Sequence, residues 1–155
     1  MANKVRGFEV AKGWNDKDIT LPHRSTSDSA GYDFHAAEEV TIPSFKPGVK
    51  PVLVATGVKA YMSKGEYLAL VNRSSLPLKQ GLMLGNNFAV IDRDYYSNEG
   101  NDGHIMFQFW NFSDEDITIE KDTRIGQGIF HSFAVADDDG AEGERQGGFG
   151  STGTN

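Results

Sequence analysis

An all-β barrel or jelly roll with a single short helix is the fold class this sequence predicts. Apolar residues come in short or alternating runs, each ended by Gly, Pro, Asn, Asp or Ser. No long stretch carries the 3.6-residue period of an amphipathic helix. Eighteen glycines among 155 residues supply tight turns, or backbone that approaches a ligand closely.

Strands are expected over residues 40–42, 51–55, 67–71, 88–91, 105–112, 117–119 and 125–133, where β-branched, aromatic or alternating apolar residues cluster. The helix is expected over 75–80, with Pro77 near its start, where a missing N–H costs little. Residues 14–30 are polar and read as irregular. Residues 96–103 interrupt what would otherwise be a hairpin. The segment 136–155 opens on Asp137, Asp138 and Asp139 and closes in glycines, so it is expected to be mobile until a ligand orders it. The organisation is one barrel domain, 1–135, with an inserted loop near 96–101 and a C-terminal arm, 136–155.

Composition excludes several functions. With no cysteine, disulfides, thiolate metal sites and cysteine nucleophiles are impossible. No apolar run is long enough for a membrane helix, and the N-terminus lacks the apolar core of a signal peptide, so a cytoplasmic protein is expected. Residues 1–91 hold eleven Lys/Arg against eight Asp/Glu, whereas 92–144 hold three against fourteen. No basic stripe results, and nucleic acid is not the expected partner. An anion would have to bind through a few placed groups or a metal.

Five stretches could carry chemistry. Gly147, Gly148, Phe149, Gly150, Ser151 and Thr152 form a glycine-rich run whose N–H groups suit phosphate oxygens, with Arg145 nearby and an aromatic that can stack on a flat ring. It reads equally as a loose terminus. Arg73, Ser74 and Ser75 lie between a strand and the helix, as an anion site or as an N-cap beside a surface arginine. Asp92 follows an apolar strand end and could polarise a water, and Tyr95 could lie flat against a sugar. The alternative is a hairpin with solvated acids. Asp33 could hold a metal-bound water or simply start a strand. Gln127 is a neutral donor in a strand.

Taken in order, these stretches resemble the five motifs of the trimeric dUTPase family. They are Ala30-Gly31-Tyr32-Asp33; Arg73-Ser74-Ser75 with Lys79 and Gly81; Gly85-Asn86 with Ala89 to Tyr95; Asp122 to Gln127; and Gly147 to Gly153. The resemblance spans residues 30–153 and implies the dUTPase-type jelly roll, a homotrimer whose sites are shared between subunits, and hydrolysis of dUTP to dUMP and pyrophosphate with Mg²⁺. It implies that Asp92 activates the water that attacks the α-phosphorus, and that Asp33 holds Mg²⁺ through water. Arg73, Ser74, Ser75, Gln127 and Arg145 would meet the phosphates. Asn86 and the backbone at Ile105 and Met106 would read uracil, and Tyr95 would lie under deoxyribose. Phe149 would stack on the base while Gly150, Ser151 and Thr152 close over the phosphates.

Four departures qualify the resemblance. Glu144 takes the usual place of the fifth-motif arginine and Arg145 is shifted by one. Ala89 replaces a common glycine, and His35 a frequent arginine. Residues 96–101 look inserted, either as tolerated loop growth or as a surface for a regulatory protein, as in some bacteriophage dUTPases, which makes a phage or prophage origin plausible. Two rivals exist: a dCTP deaminase on the same fold, whose catalytic glutamate falls on Gln108 here, and a binding protein that has lost catalysis.

Overall fold

The computed structural model describes residues 3–145, 147 and 148, and contains ten strands and one α-helix. The strands are β1 Gly7–Val10, β2 Tyr32–His35, β3 Val40–Ile42, β4 Val52–Tyr61 and β5 Glu66–Val71. After helix α1, Ser75–Gln80, come β6 Leu82–Leu84, β7 Ala89–Asp92, β8 Ile105–Asn111, β9 Ile117–Ile119 and β10 Arg124–Ser132. All pair antiparallel, in two four-stranded sheets, β1-β4-β8-β6 and β2-β10-β5-β7, and a two-stranded β3-β9 ribbon. This is the all-β architecture expected. The helix falls on the expected residues and ends at Gly81, whose φ of 70° is the left-handed conformation a helix C-terminus favours.

Strand β8 shows why these residues form strands. Ile105, Phe107, Phe109 and Asn111 are buried, while Met106, Gln108 and Trp110 are half-exposed, the period of two that a pleated strand imposes. The inward set meets the other sheet: Phe107 packs on Phe34 of β2 at 5.4 Å between ring centroids. Leu68, Leu70, Val54 and Ile125 complete the core. The Phe107 ring fits because β10 carries Gly126, where a Cβ would lie 2.2 Å from Phe107 Cε1. A register shift between Arg124 and Gly126 turns β10 at the same point.

Three strands escape the sequence patterns: β1, β2 and β6, each four residues or fewer. Residues 96–103 do interrupt the chain where a hairpin would otherwise form. Strand β7 pairs with β5 and β8 pairs with β4 and β6, so 96–103 bridges two sheets. Among the described residues no helix is long and apolar enough to cross a membrane.

Candidate active site

The edge between the two sheets creates the site. Strand β6 pairs with β8 only as far as Leu84 opposite Phe109, and Gly85 N–H then donates to the Gln108 carbonyl at 2.8 Å. Backbone groups alternate sides along an antiparallel strand. The Met106 N–H and carbonyl therefore point the same way as those of Gln108, past the end of β6, onto an unpaired stretch of β8. Ile105 points the other way. Its carbonyl accepts from Thr56 Oγ1 at 2.6 Å and its side chain is buried in the core. Of the two residues expected to read a base, only Met106 faces the opening, a correction that the strand's alternation dictates.

A cavity of about 410 Å³ opens there, and its lining includes Asn86, Asp92, Tyr95, Met106, Gln108 and Arg145. Asn86 sits in the turn between β6 and β7. Asp92 ends β7 opposite Tyr67 of β5, and a 3₁₀ turn, Arg93–Tyr95, follows at once. That turn points the Tyr95 ring inward, leaving it 6% exposed. Arg145 donates to Asp92 Oδ2 at 2.5 Å, to Asp94 Oδ1 at 2.7 Å and to the Gly147 carbonyl at 3.1 Å, with its guanidinium 5.9 Å from the Tyr95 ring centroid. The shifted arginine thus reaches the cavity. Gly148 lies so close that a Cβ there would be 2.6 Å from Tyr95 Cε2. Burial pushes the Tyr95 hydroxyl above its ordinary pKa, against a hydrogen bond from Asn101 and the charge of Arg145.

The other expected residues gather elsewhere. Asp33 on β2 and Val71 on β5 flank Gln127 on β10 in register. Arg73 follows two residues after Val71, with its Nε 4.0 Å from Asp33 Oδ1, and Arg124 Nη1 lies 3.6 Å from Asp33 Oδ2. Ser25 also donates to Asp33, at 2.9 Å. Ser74 occupies the N-cap of α1 but its hydroxyl makes no capping bond, and Ser75 opens the helix. This cluster does not line the Asp92 cavity within one chain. His35 is buried, and its Nδ1 has no hydrogen-bond partner among the described residues. Burial, and then His23, whose ring is stacked at 5.6 Å, lower its pKa. Phe149, Gly150, Ser151 and Thr152 lie outside the described residues.

Sequence reasoning missed Asn101. It lies in the loop between β7 and β8, and no local pattern signals that its amide meets the Tyr95 hydroxyl at 2.7 Å. Gln108 was read only as the mark against a deaminase; its outward place on β8 puts it in the cavity wall.

Fold and cavity together define an all-β protein with a carboxylate, an arginine and a tyrosine at an open strand edge, at the scale of a nucleotide-sized ligand. Comparison with known proteins narrows the class. The dUTPase family model matches residues 17–153, and the chain belongs to the dUTPase family. The deoxyuridine 5'-triphosphate nucleotidohydrolase of Lactococcus lactis is 52% identical over 152 residues, covering 97% of this chain and 99% of that protein. The crystal structure of dUTPase from Streptococcus mutans is similar at a TM-score of 0.78 and 45% identity, covering 84% of this chain and 98% of that one. A point-mutant dUTPase from phage phi11 of S. aureus, described with a structural Mg(II) ion, shares the fold at a TM-score of 0.69 and 16% identity, covering 90% of this chain and 97% of that one.

Proposed function

We propose that this chain hydrolyses dUTP to dUMP and pyrophosphate, in sites completed between copies of itself in a homotrimer. The observation that carries the reading is one cavity holding the Asp92 carboxylate, the Tyr95 ring and the free backbone edge at Met106. An edge that offers one N–H and one carbonyl matches the uracil face, whereas cytosine would leave buried groups unpaired. Tyr95, packed beneath the sugar, leaves no space for a ribose 2′-hydroxyl. Gln108 supplies only an amide where a deaminase needs an acid.

Asp92 takes a proton from water, whose oxygen attacks the α-phosphorus. The bond from that phosphorus to the oxygen bridging to the β-phosphate breaks, and pyrophosphate leaves. In the free protein Arg145 is paired with Asp92 and Asp94. A triphosphate carries more negative charge and draws the guanidinium away, freeing Asp92 as base and placing a cation on the phosphate chain.

The second cluster supplies the remaining groups from a neighbouring copy: Arg73, Ser74, Ser75 and Gln127 on the phosphates, with the arm residues Phe149, Gly150, Ser151 and Thr152 closing over the substrate. Asp33 suits an outer, water-mediated hold on Mg²⁺, because two arginines already face its buried carboxylate. Mg²⁺, when bound with substrate, neutralises phosphate charge. The reading places the activity in the cytoplasm, with which a cysteine-free chain is compatible.

Pyrophosphate release from dUTP, dTTP, dCTP and UTP, with and without Mg²⁺, tests the proposal. Selective turnover of dUTP and a loss of about 10²–10⁴-fold in Asp92→Asn are expected. Comparable hydrolysis of all four nucleotides, or full activity of the variant, overturns it.

A further inference from the structure

The inserted loop is tied into the site by a chain of asparagine amides. Asn98 is buried and donates through Nδ2 to the Tyr95 carbonyl at 2.7 Å and to Asn101 Oδ1 at 2.8 Å, while its own Oδ1 accepts from the N–H groups of Gly100 and Asn101 at 3.0 and 3.1 Å. Asn101 Oδ1 also accepts from Gly103 N–H at 3.1 Å. With that oxygen occupied, the orientation of the amide is determined, and Nδ2 faces the Tyr95 hydroxyl at 2.7 Å. The hydroxyl proton is used as well, in a 2.7 Å bond to the His104 carbonyl. Tyr95 is therefore gripped at its backbone and at the tip of its ring, and both grips involve residues 98–104.

A loop grown only because growth is cheap would need no such network. Backbone bonds close it further: Ser97 N–H to the Asp102 carbonyl at 3.1 Å, and Asp102 N–H to the Asn98 carbonyl at 2.9 Å. Gly103, at φ 80°, has Tyr95 O only 2.6 Å from where a Cβ would be, so the loop folds tightly back on the turn that carries the tyrosine.

We propose that Asn101 is a positioning residue that sets sugar selectivity, holding the Tyr95 ring through its hydroxyl so that the ring stays against the position of a 2′-hydroxyl. The inference rests on the reading of Tyr95 as the sugar-facing residue. A single hydrogen bond suffices for a measurable effect, because sugar discrimination depends on a steric contact that a loosely held ring gives up. Base reading, which depends on Met106 and Asn86, is independent of this bond.

Two variants remove the bond from opposite sides. Asn101→Asp keeps the oxygen that serves Asn98 and Gly103 but removes the N–H donor, so that the phenol, with a single proton, can keep only one of its two bonds, and Tyr95→Phe deletes the hydroxyl together with both bonds. The readout is kcat/KM for dUTP, UTP and dCTP, with melting curves to verify folding. Each variant is expected to lower the dUTP/UTP ratio by about tenfold, equivalent to about 1.4 kcal/mol, and to leave dUTP/dCTP within about twofold of wild type. The double variant is expected to lose no more than the worse single one, as members of one interaction do. Folded variants with an unchanged dUTP/UTP ratio, or with both ratios falling together, overturn the proposal. If Asn101→Asp does not fold, Asn101→Ala takes its place, because it removes the amide donor and leaves the Tyr95–His104 bond untouched. Tyr95→Leu separates the two levels. Retained sugar discrimination there refutes the sugar-facing reading and this proposal with it, whereas its loss alongside unchanged Asn101→Asp and Tyr95→Phe refutes the clamp alone.

Discussion

Replacing Asp102 by alanine removes the anchor between the loop 96–103 and the barrel, and its cost can be worked from the structure. The Asp102 carboxylate accepts from Lys59 Nζ at 2.9 and 3.1 Å and from Lys12 N–H at 2.7 Å, with the Asp102 and Lys59 side chains 21% and 13% exposed. Hydrogen bonds to charged groups contribute about 1.5–3 kcal/mol each, and partial exposure takes the low end of that range. The variant also leaves the Lys59 ammonium with only Ser97 Oγ at 3.1 Å and the Tyr96 ring at 4.8 Å. A loss of about 3 kcal/mol follows for the two partners, or about 6–12 °C in Tm at roughly 2–4 °C per kcal/mol for a chain of this size. Thermal melts at one fixed protomer concentration measure it, since assembly shifts Tm. Lys59→Met in the Asp102→Ala background removes the stranded cation, so the double variant is expected to be less destabilised than the two single losses added together, by about 1 kcal/mol. Burial raises the Asp102 pKa, but the bonds from Lys59 and Lys12 outweigh it and hold the group below its ordinary 3.8. A depressed folded-state pKa stabilises above the unfolded value and is lost as pH falls, so the gap between wild type and Asp102→Ala narrows below about pH 4. A Tm within about 1 °C of wild type, or strictly additive losses, would refute this account of the anchor.

Other outcomes follow from the same geometry. His104 Nε2 accepts from Gly57 N–H at 2.9 Å and burial lowers its pKa, so its contribution is present above the unfolded value of about 6.5 and fades as pH falls. His104→Gln is expected to flatten the Tm-versus-pH curve between about pH 5 and 7, and an unchanged slope counts against it. Gly126→Ala drives a methyl into Phe107 and should cost about 1–3 kcal/mol in urea unfolding, partly recovered by Phe107→Leu, and no cost would mean the ring can move aside. Mixing Asp92→Asn and Gln127→Ala protomers after joint refolding should restore about a quarter of wild-type activity, by random assortment at sites shared between two copies. No recovery in proven mixed trimers would locate both residues in one subunit's site. Chelating divalent metal should abolish turnover, and Mg²⁺ should restore it.

Much of the fold was legible locally. The period of two in Ile105 to Asn111, the helix over Ser75–Gln80 and its glycine stop are properties of adjacent residues, and sequence displays those directly. Strands β1 and β2 were not legible, because Gly7–Val10 and Tyr32–His35 are too short to show a period and become strands only by pairing with β4 and β10, far along the chain. The candidate site divided the same way. Asp92, Tyr95 and Asn86 fall within the family-like motifs and Met106 was implied by the resemblance, and the structure brings all four around one cavity. Arg145 looked displaced by one residue in the sequence, yet a guanidinium on a long stem spans that offset to reach Asp92 and Asp94.

By itself, then, the chain's order of residues determined the class of fold and the family to which it belongs, since these depend on residue type, on local periodicity and on the order of short motifs along the chain. Tertiary structure alone decided that β7 and β8 part into different sheets, that Met106 rather than Ile105 offers its backbone to the cavity, and that Asn101 grips Tyr95. The reason is physical: the direction in which a backbone carbonyl or a side-chain amide points is set by which strand lies alongside it, and that neighbour is chosen by the packing of the whole core.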